Sequence, residues 1–301
     1  TAPYVNGRTK VRKIGIPPVD SQDEEYIAHK KKPQSVSSDL FFIDGLTFLL
    51  SVASPSNHGW VILLESKEAI PVQEGLKIHV MKFRSEGFIV DRVEFDGEAA
   101  TKDNDRVSSY IGCKFTSRPV DLHAAKAERR IQTVRDRMRS ILASLDFVIP
   151  RSIIQYLVTG AMNISNWEPT HSRSTTVGTS SNEIVYGRKA IANQDFKWGF
   201  GDYVQTTKPR GTSHNSLEDR TEQCLVLYPD GEGTGWHYLK LDTWETIHRS
   251  HGIKQPMPLI VRKAISDRTA KETAARKATL EIIKAKNAMK KKLTRMEELV
   301  I

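Results

Sequence analysis

The sequence predicts a mixed α/β layered domain, then a small all-β barrel, then a basic C-terminal helix. Three observations carry this. Between residues 36 and 96, apolar runs of strand length alternate with turn signals. From 121 to 164 they give way to apolar residues at three- and four-residue spacing. After Gly187 short strand patterns return, followed by a stretch rich in Lys and Arg to the end of the chain. Strands first, then helices after the fourth strand, indicate helices layered on a mixed sheet.

Each element has its own signal. Residues 1–35 hold Pro17, Pro18, an acidic run at 23–25 and a basic cluster at 30–32, with no apolar periodicity, and read as an extended arm or linker. The stretch SSDLFFIDGLTFLLSVASP reads as two strands joined by a turn at Asp44-Gly45. A third strand is expected at 59–64, a helix over 67–86 with Pro71 limiting its start, and a fourth strand at 88–96. YIGCKFT at 110–116 reads as a further short strand. Ile131, Val134, Met138, Ile141 and Leu145 mark the strongest helix, over 121–145, and Pro150 separates it from a second one over 151–164.

Residues 166–182, rich in Ser, Thr and Asn, read as a loop. Strands are then expected at 201–208, 222–229 and 235–242, with a last one near 246–249. Asp230-Gly231 is a hairpin signal, and GEGTG at 231–235 is a hairpin tip, because no strand–loop–helix context surrounds it. The domains expected are an arm at 1–35, a core at 36–165, a linker at 166–186, a barrel at 187–252 and a helical tail at 253–301.

Composition narrows the function classes. A chain of 301 residues suits about two domains at roughly 150 residues each, and 39% hydrophobic residues support a real core. No run of 18 apolar residues exists, so no membrane partner is expected. The N-terminus has neither an initiator Met nor a signal-peptide apolar region, and reads as a fragment of a longer polypeptide. Cys113 and Cys224 alone cannot build a Cys-rich zinc site or a disulfide framework, which fits a reducing compartment. The net charge is +9, and residues 261–301 carry 12 Lys/Arg against 5 Asp/Glu. A basic tail on a nearly balanced body suits nucleic-acid contact, as it also suits a solvated helix. Ile282, Met289, Leu293, Met296 and Val300 form one stripe that fits a partner helix.

Phosphodiester chemistry with metal ions needs carboxylates converging on one point, since hard cations prefer oxygen ligands. Three residues fit. Asp39 lies in the first apolar strand, where a charge is costly unless paired or metal-bound. Asp96 ends the fourth strand, and Glu128 lies in the first turns of the strong helix. Asp44 is a rival to Asp39, but it sits in a turn. At 100° per residue, Gln132, Arg135 and Arg139 fall within about 40° of Glu128. That face suits either DNA phosphates or intrahelical ion pairs.

The order of these blocks resembles the integrase of copia-type long-terminal-repeat retrotransposons, core plus C-terminal domain of a Pol polyprotein. SSDLFFIDGLTFLLSV, FIVDRVEFDGE and HAAKAERRIQTVRDRMRSIL are similar to its three acidic blocks. Asp96-Gly97-Glu98 and Glu128-Arg129 match its motif contexts, and His123 and Asn163 fit positions before the first long helix and within the second. SNEIVYGRKA at 181–190 resembles its Gly-Arg-Lys block, with Ser181 and Ala190 in place of prolines. GDYVQ and RTEQCLVLYPDGEGTGWHYL resemble its small barrel. The similarity covers about 36–250. Only 31 residues separate Asp96 from Glu128, a shorter interval than is usual in the family, and no His/Cys zinc module is present.

The resemblance implies a ribonuclease-H-like core. Asp39, Asp96 and Glu128 would be both the catalytic residues and the ligands of Mg²⁺ or Mn²⁺. From the helix face and the basic tail rather than from the resemblance, Gln132, Arg135, Arg139, Lys290, Lys291 and Lys292 are the expected DNA contacts. The reaction implied is trimming of element DNA ends and transfer of their 3′-hydroxyls into target DNA, by a homo-oligomer acting in the nucleus, with a virus-like particle in the cytoplasm as an earlier location. Two other readings stay open: a decayed or domesticated DNA-binding protein that kept the fold, and a ribonuclease-H-like nuclease.

Overall fold

A computed structural model describes residues 31–96, 103–117, 125–169, 179–208, 220–231 and 233–298. Residues 1–30 of the expected arm, His123, and Gly97 and Glu98 lie outside them. The protein is mixed α/β with two five-stranded sheets, one mixed and one antiparallel. No described helix is long and apolar enough to cross a membrane. The residues up to Ser144 together with Gln155–Pro256 form one compact unit, and Leu145–Ile154 with the residues from Met257 form a second.

In the first unit, β1 (Gln34–Ile43), β2 (Leu46–Ser54) and β3 (Gly59–Leu64) form an antiparallel meander. The turn between β1 and β2 falls at Asp44 and Gly45 as the sequence indicates, both with positive φ (48° and 72°), a pairing that matches the twist of a two-residue hairpin. Helix α1 (Ala69–Ser85) leads to β4 (Val90–Asp96), which pairs parallel with β1, and α2 (Asn104–Ile111) leads to β5 (Lys114–Ser117), parallel to β4. The strand order is β3-β2-β1-β4-β5. Helix α3 (Ala125–Ser144) packs on β1 and β2, and α1 packs on β2, β3 and β4.

This layering explains why Phe48 to Ala53 are buried without alternation: a central strand covered on both faces has no solvent side. The main core joins Leu76, Val80 and Phe83 of α1 to Leu49, Val93, Phe95 and Phe115 of the sheet. Helix α3 buries Ala127, Ile131, Val134 and Met138; of the stripe its periodicity predicts, Ile141 is half-buried and Leu145 lies past the helix end.

After a 3₁₀ turn at Arg151–Ile153, α4 (Ile154–Trp167) runs three residues past the expected end. Helix α5 (Ser181–Tyr186) and α6 (Ala192–Asp195) precede the second sheet. That sheet comprises β6 (Tyr203–Thr207), β7 (Thr221–Pro229), β8 (Trp236–Lys240), β9 (Thr246–Arg249) and β10 (Gly252–Lys254), in the order β10-β6-β7-β8-β9. Its core gathers Trp198, Val204, Val226, Trp236 and Tyr238, with Trp198 edge-on to Trp236 at 5.1 Å. The hairpin between β7 and β8 is closed by Asp230 N–H donating to Gly235 O at 2.9 Å.

Three elements depart from the sequence reading. Tyr110 and Ile111 end helix α2 instead of opening a strand. Asp103 caps that helix by accepting from Arg106 N–H at 3.0 Å, and Gly112 closes it in the left-handed region (φ 75°). Ser180 and Glu183 form a reciprocal capping box that starts α5 inside the residues read as loop and motif. Strand β10 extends the second sheet past the expected boundary at 252.

In the second unit, α7 (Leu259–Glu298) is anchored at its start. Glu272 accepts from Ser152 N–H (3.0 Å) and Ser152 Oγ (2.7 Å), Thr269 Oγ1 donates to Val148 O (3.0 Å), and Arg262 pairs with Asp146. Ile149, Ile153, Val261 and Ile265 are buried. The opening turns of the basic tail are therefore structural, a role its charge pattern does not reveal.

Candidate functional site

Strand β1 carries Asp39 one residue beyond the buried Ser38, and β4 carries Asp96 as its last residue. The two are register partners on adjacent parallel strands, so their backbones lie roughly 5 Å apart. Asp39 is half-buried, and its Oδ1 accepts from Leu40 N–H at 2.6 Å. Glu128 is exposed in the first turn of α3, the helix that packs on β1 and β2. Asp44 is exposed at the hairpin turn, five residues along the chain from Asp39.

The backbone thus joins Asp39 to Asp96 and sets Glu128 on a helix that touches the strand of Asp39. The side chain of Asp96 lies outside the described residues, and among the described ones no three His, Cys, Asp or Glu side chains group as metal ligands. A donor set of three carboxylates is chemically suited to Mg²⁺ or Mn²⁺, which take hard oxygen ligands.

The polar face of α3 is organised by Asp136, which the sequence reading passed over. Gln132 Nε2 donates to Asp136 Oδ1 at 3.0 Å, and Arg139 pairs with the same oxygen. The Arg135 guanidinium lies over the Phe41 ring at 5.9 Å, and Phe41 stacks on Phe48 at 5.3 Å. Gln132 and Arg139 therefore have intrahelical partners, and Arg135 packs its head on β1. Arg130 is the arginine that ties elements together. It donates to Asn57 O (2.8 Å) and Ser165 O (3.2 Å), and burial, then the charge of Arg137, lower its pKa to about 10, so it remains a cation. Lys290, Lys291 and Lys292 fall within α7, with side chains outside the described residues.

Arg188, in the Gly-Arg-Lys block, forms a buried bidentate pair with Asp195 at 2.6 and 2.8 Å and lies over the Trp167 ring at 4.7 Å. Asn163 Nδ2 donates to Pro229 O at 3.2 Å, tying α4 to β7. Asn166 brackets the backbone of Gly59, accepting from its N–H (3.0 Å) and donating to its O (2.9 Å). Both asparagines also line a cavity of about 480 Å³ that no sequence signal foretold, because its walls come from β3, α1, α4, α5 and β7–β9.

No family model matches this chain, and no curated protein is similar to it in sequence.

Proposed function

We propose that this chain is the catalytic core and C-terminal domain of a retroelement integrase. On this reading the first sheet with its helices is a ribonuclease-H-like core and the second sheet a small barrel. The observation that carries the reading is the register of Asp39 and Asp96 on adjacent parallel strands, with Glu128 opening the helix packed on β1. Rigid elements hold such a constellation better than loops do.

Asp39, Asp96 and Glu128 would hold Mg²⁺ or Mn²⁺, which when bound supplies charge stabilisation to attacking and leaving oxygens. The 3′-hydroxyl of an element end attacks a target phosphodiester. A new P–O bond forms as the target strand's P–O3′ bond breaks, so the number of phosphodiesters is conserved and no energy-rich cofactor is consumed. Joining two ends in one event calls for a homo-oligomer, and the target places the reaction in the nucleus. The basic α7 would add backbone attraction without base readout.

The test is strand transfer with an oligonucleotide donor and Mg²⁺, comparing the wild type with Asp96→Asn. Joined product from the wild type, and at least a hundredfold less from a folded Asp96→Asn variant that still binds DNA, is the expected result. Cleavage without joining would instead favour a nuclease. DNA binding with neither reaction would favour a protein that kept the fold and lost the chemistry.

A further inference from the structure

The cavity between the two sheets of the first unit has a lining that selects a ligand class. Its volume of about 480 Å³ lies within the range of small-molecule sites. Its charges nearly cancel: Lys82 stands against Glu86 and Asp230, and Asp230 is already paired with His248 at 3.1 Å. That balance offers no cradle for an anion, and among the described residues no three metal-ligating side chains converge here. The many polar side chains argue against a lipid.

Two features of the wall point to a flat, neutral, hydrogen-bonding molecule. The first is aromatic. Tyr228 stacks on His237 with ring centroids 4.5 Å apart and planes 28° apart, and His237 continues to His248 at 5.0 Å. Burial pushes the Tyr228 phenol up to about 12, so it stays an uncharged donor. The second is a group of buried polar atoms without hydrogen-bond partners: both ring nitrogens of His58, Trp60 Nε1 and Asn182 Oδ1. His58 and Asn182 are almost fully buried, at 1% and 2% exposure.

Such orphaned atoms are rare in native interiors, and four belong to this one wall. Burial, then the charges of Arg130 and Lys82, lower the His58 pKa to about 3, so its ring offers one donor and one acceptor. With the indole N–H and the amide oxygen, the wall holds donors and acceptors together. These atoms are buried within the wall, so a ligand would reach them only after a side-chain rotation at Trp60 or Asn182, of the kind common on binding.

We propose that this cavity takes a single unstacked nucleobase. Heterocycles of this class carry donors and acceptors on one edge and a face that packs on aromatic rings, the two features of the wall. The base arrives either from a free nucleotide or from a strand that turns one base out. The inference goes beyond the joining reaction and needs none of its carboxylate chemistry.

The test uses the full chain and the fluorescence of 2-aminopurine, presented as the free 2′-deoxynucleoside 5′-monophosphate and within a single-stranded oligonucleotide. Tyr228→Leu removes a wall ring, and Thr159→Phe fills the space from α4. Each variant is checked for an unchanged melting profile. Both should weaken binding of a base-bearing probe about tenfold, the scale of a lost base–aromatic contact. Binding of a strand built of abasic sites should be unaffected. Tyr228-dependent binding of the free nucleotide identifies that source, and such binding of the oligonucleotide alone identifies a strand.

No response of either probe to the two variants would overturn the inference, as would equal affinity for abasic and base-bearing strands together with no Tyr228-dependent binding of the free nucleotide. Strand transfer is assayed on the same samples. Loss of base binding with joining intact removes only this inference, and loss of joining with base binding intact removes only the proposed function.

Discussion

Acidification offers a test of the buried core through His79. Its Nδ1 is 2.7 Å from Ser51 Oγ, which in turn is 2.7 Å from Ser38 Oγ, and its Nε2 has no partner. Burial, then the charge of Lys82, lower its pKa from 6.5 to about 3. The unfolded chain therefore takes up the proton first. The stability that neutral His79 gives is full above about pH 6.5 and is lost as pH falls towards 3. Within that window the loss is about 1.4 kcal/mol per pH unit for each such histidine, which makes about 2 kcal/mol by pH 5.

The perturbation is His79→Gln, which keeps an amide able to bond Ser51 and cannot titrate. Urea unfolding of both proteins at pH 7.5, 6 and 5 gives the stability difference between them, from which all carboxylate effects common to both cancel. That difference should move by about 2 kcal/mol in favour of the variant between pH 7.5 and 5. A difference that stays constant with pH would refute the reasoning. His58, lowered to about 3 by burial and then by Arg130 and Lys82, predicts a parallel result for His58→Gln.

Three further outcomes follow from particular contacts. Arg188→Ala leaves Asp195, 1% exposed, as an unpaired buried charge, and should destabilise the protein by about 3–5 kcal/mol in urea unfolding. Arg135→Ala removes a guanidinium from the Phe41 ring and should lower stability by only about 0.5–1 kcal/mol. If it contacts DNA as proposed, affinity for element ends falls as well, and an unchanged affinity in a filter-binding assay would assign Arg135 to packing alone. Residues 282–301 hold six Lys/Arg against two carboxylates, so a truncation after Glu281 should flatten the salt dependence of DNA binding and leave the melting temperature in place. An altered sedimentation coefficient with an unaltered salt slope would point to the Ile282–Val300 stripe as an assembly surface.

Local patterns in the sequence determined much of the fold. The β1–β2 hairpin, β3, β4 and α3 could be read because each rests on neighbours in the chain: alternation or continuous apolar runs, a turn at Asp44-Gly45, and a stripe at Ile131, Val134 and Met138. The signals for α2 and α5 were also local. Asp103 with Gly112, and Ser180 with Glu183, are caps that bound helices too short for apolar periodicity to mark.

Of the candidate site, the residue types were legible and the juxtapositions were not. Which strand lies beside β1 depends on the crossover through α1, and only that pairing sets Asp39 opposite Asp96. The fate of a polar side chain is likewise a tertiary matter. Arg188 looked like part of a motif and is a buried partner of Asp195. Arg135, expected on a face suited to DNA phosphates or ion pairs, lies over the Phe41 ring, a contact the sequence does not show. The cavity depends most on the tertiary structure, because His58, Asn182 and Tyr228 are far apart in sequence and meet only where helices and two sheets converge. Short-range physics writes hydrogen-bond caps and apolar period into consecutive residues, whereas desolvation, pairing of charges and enclosed volume arise from neighbours that only the folded chain brings together.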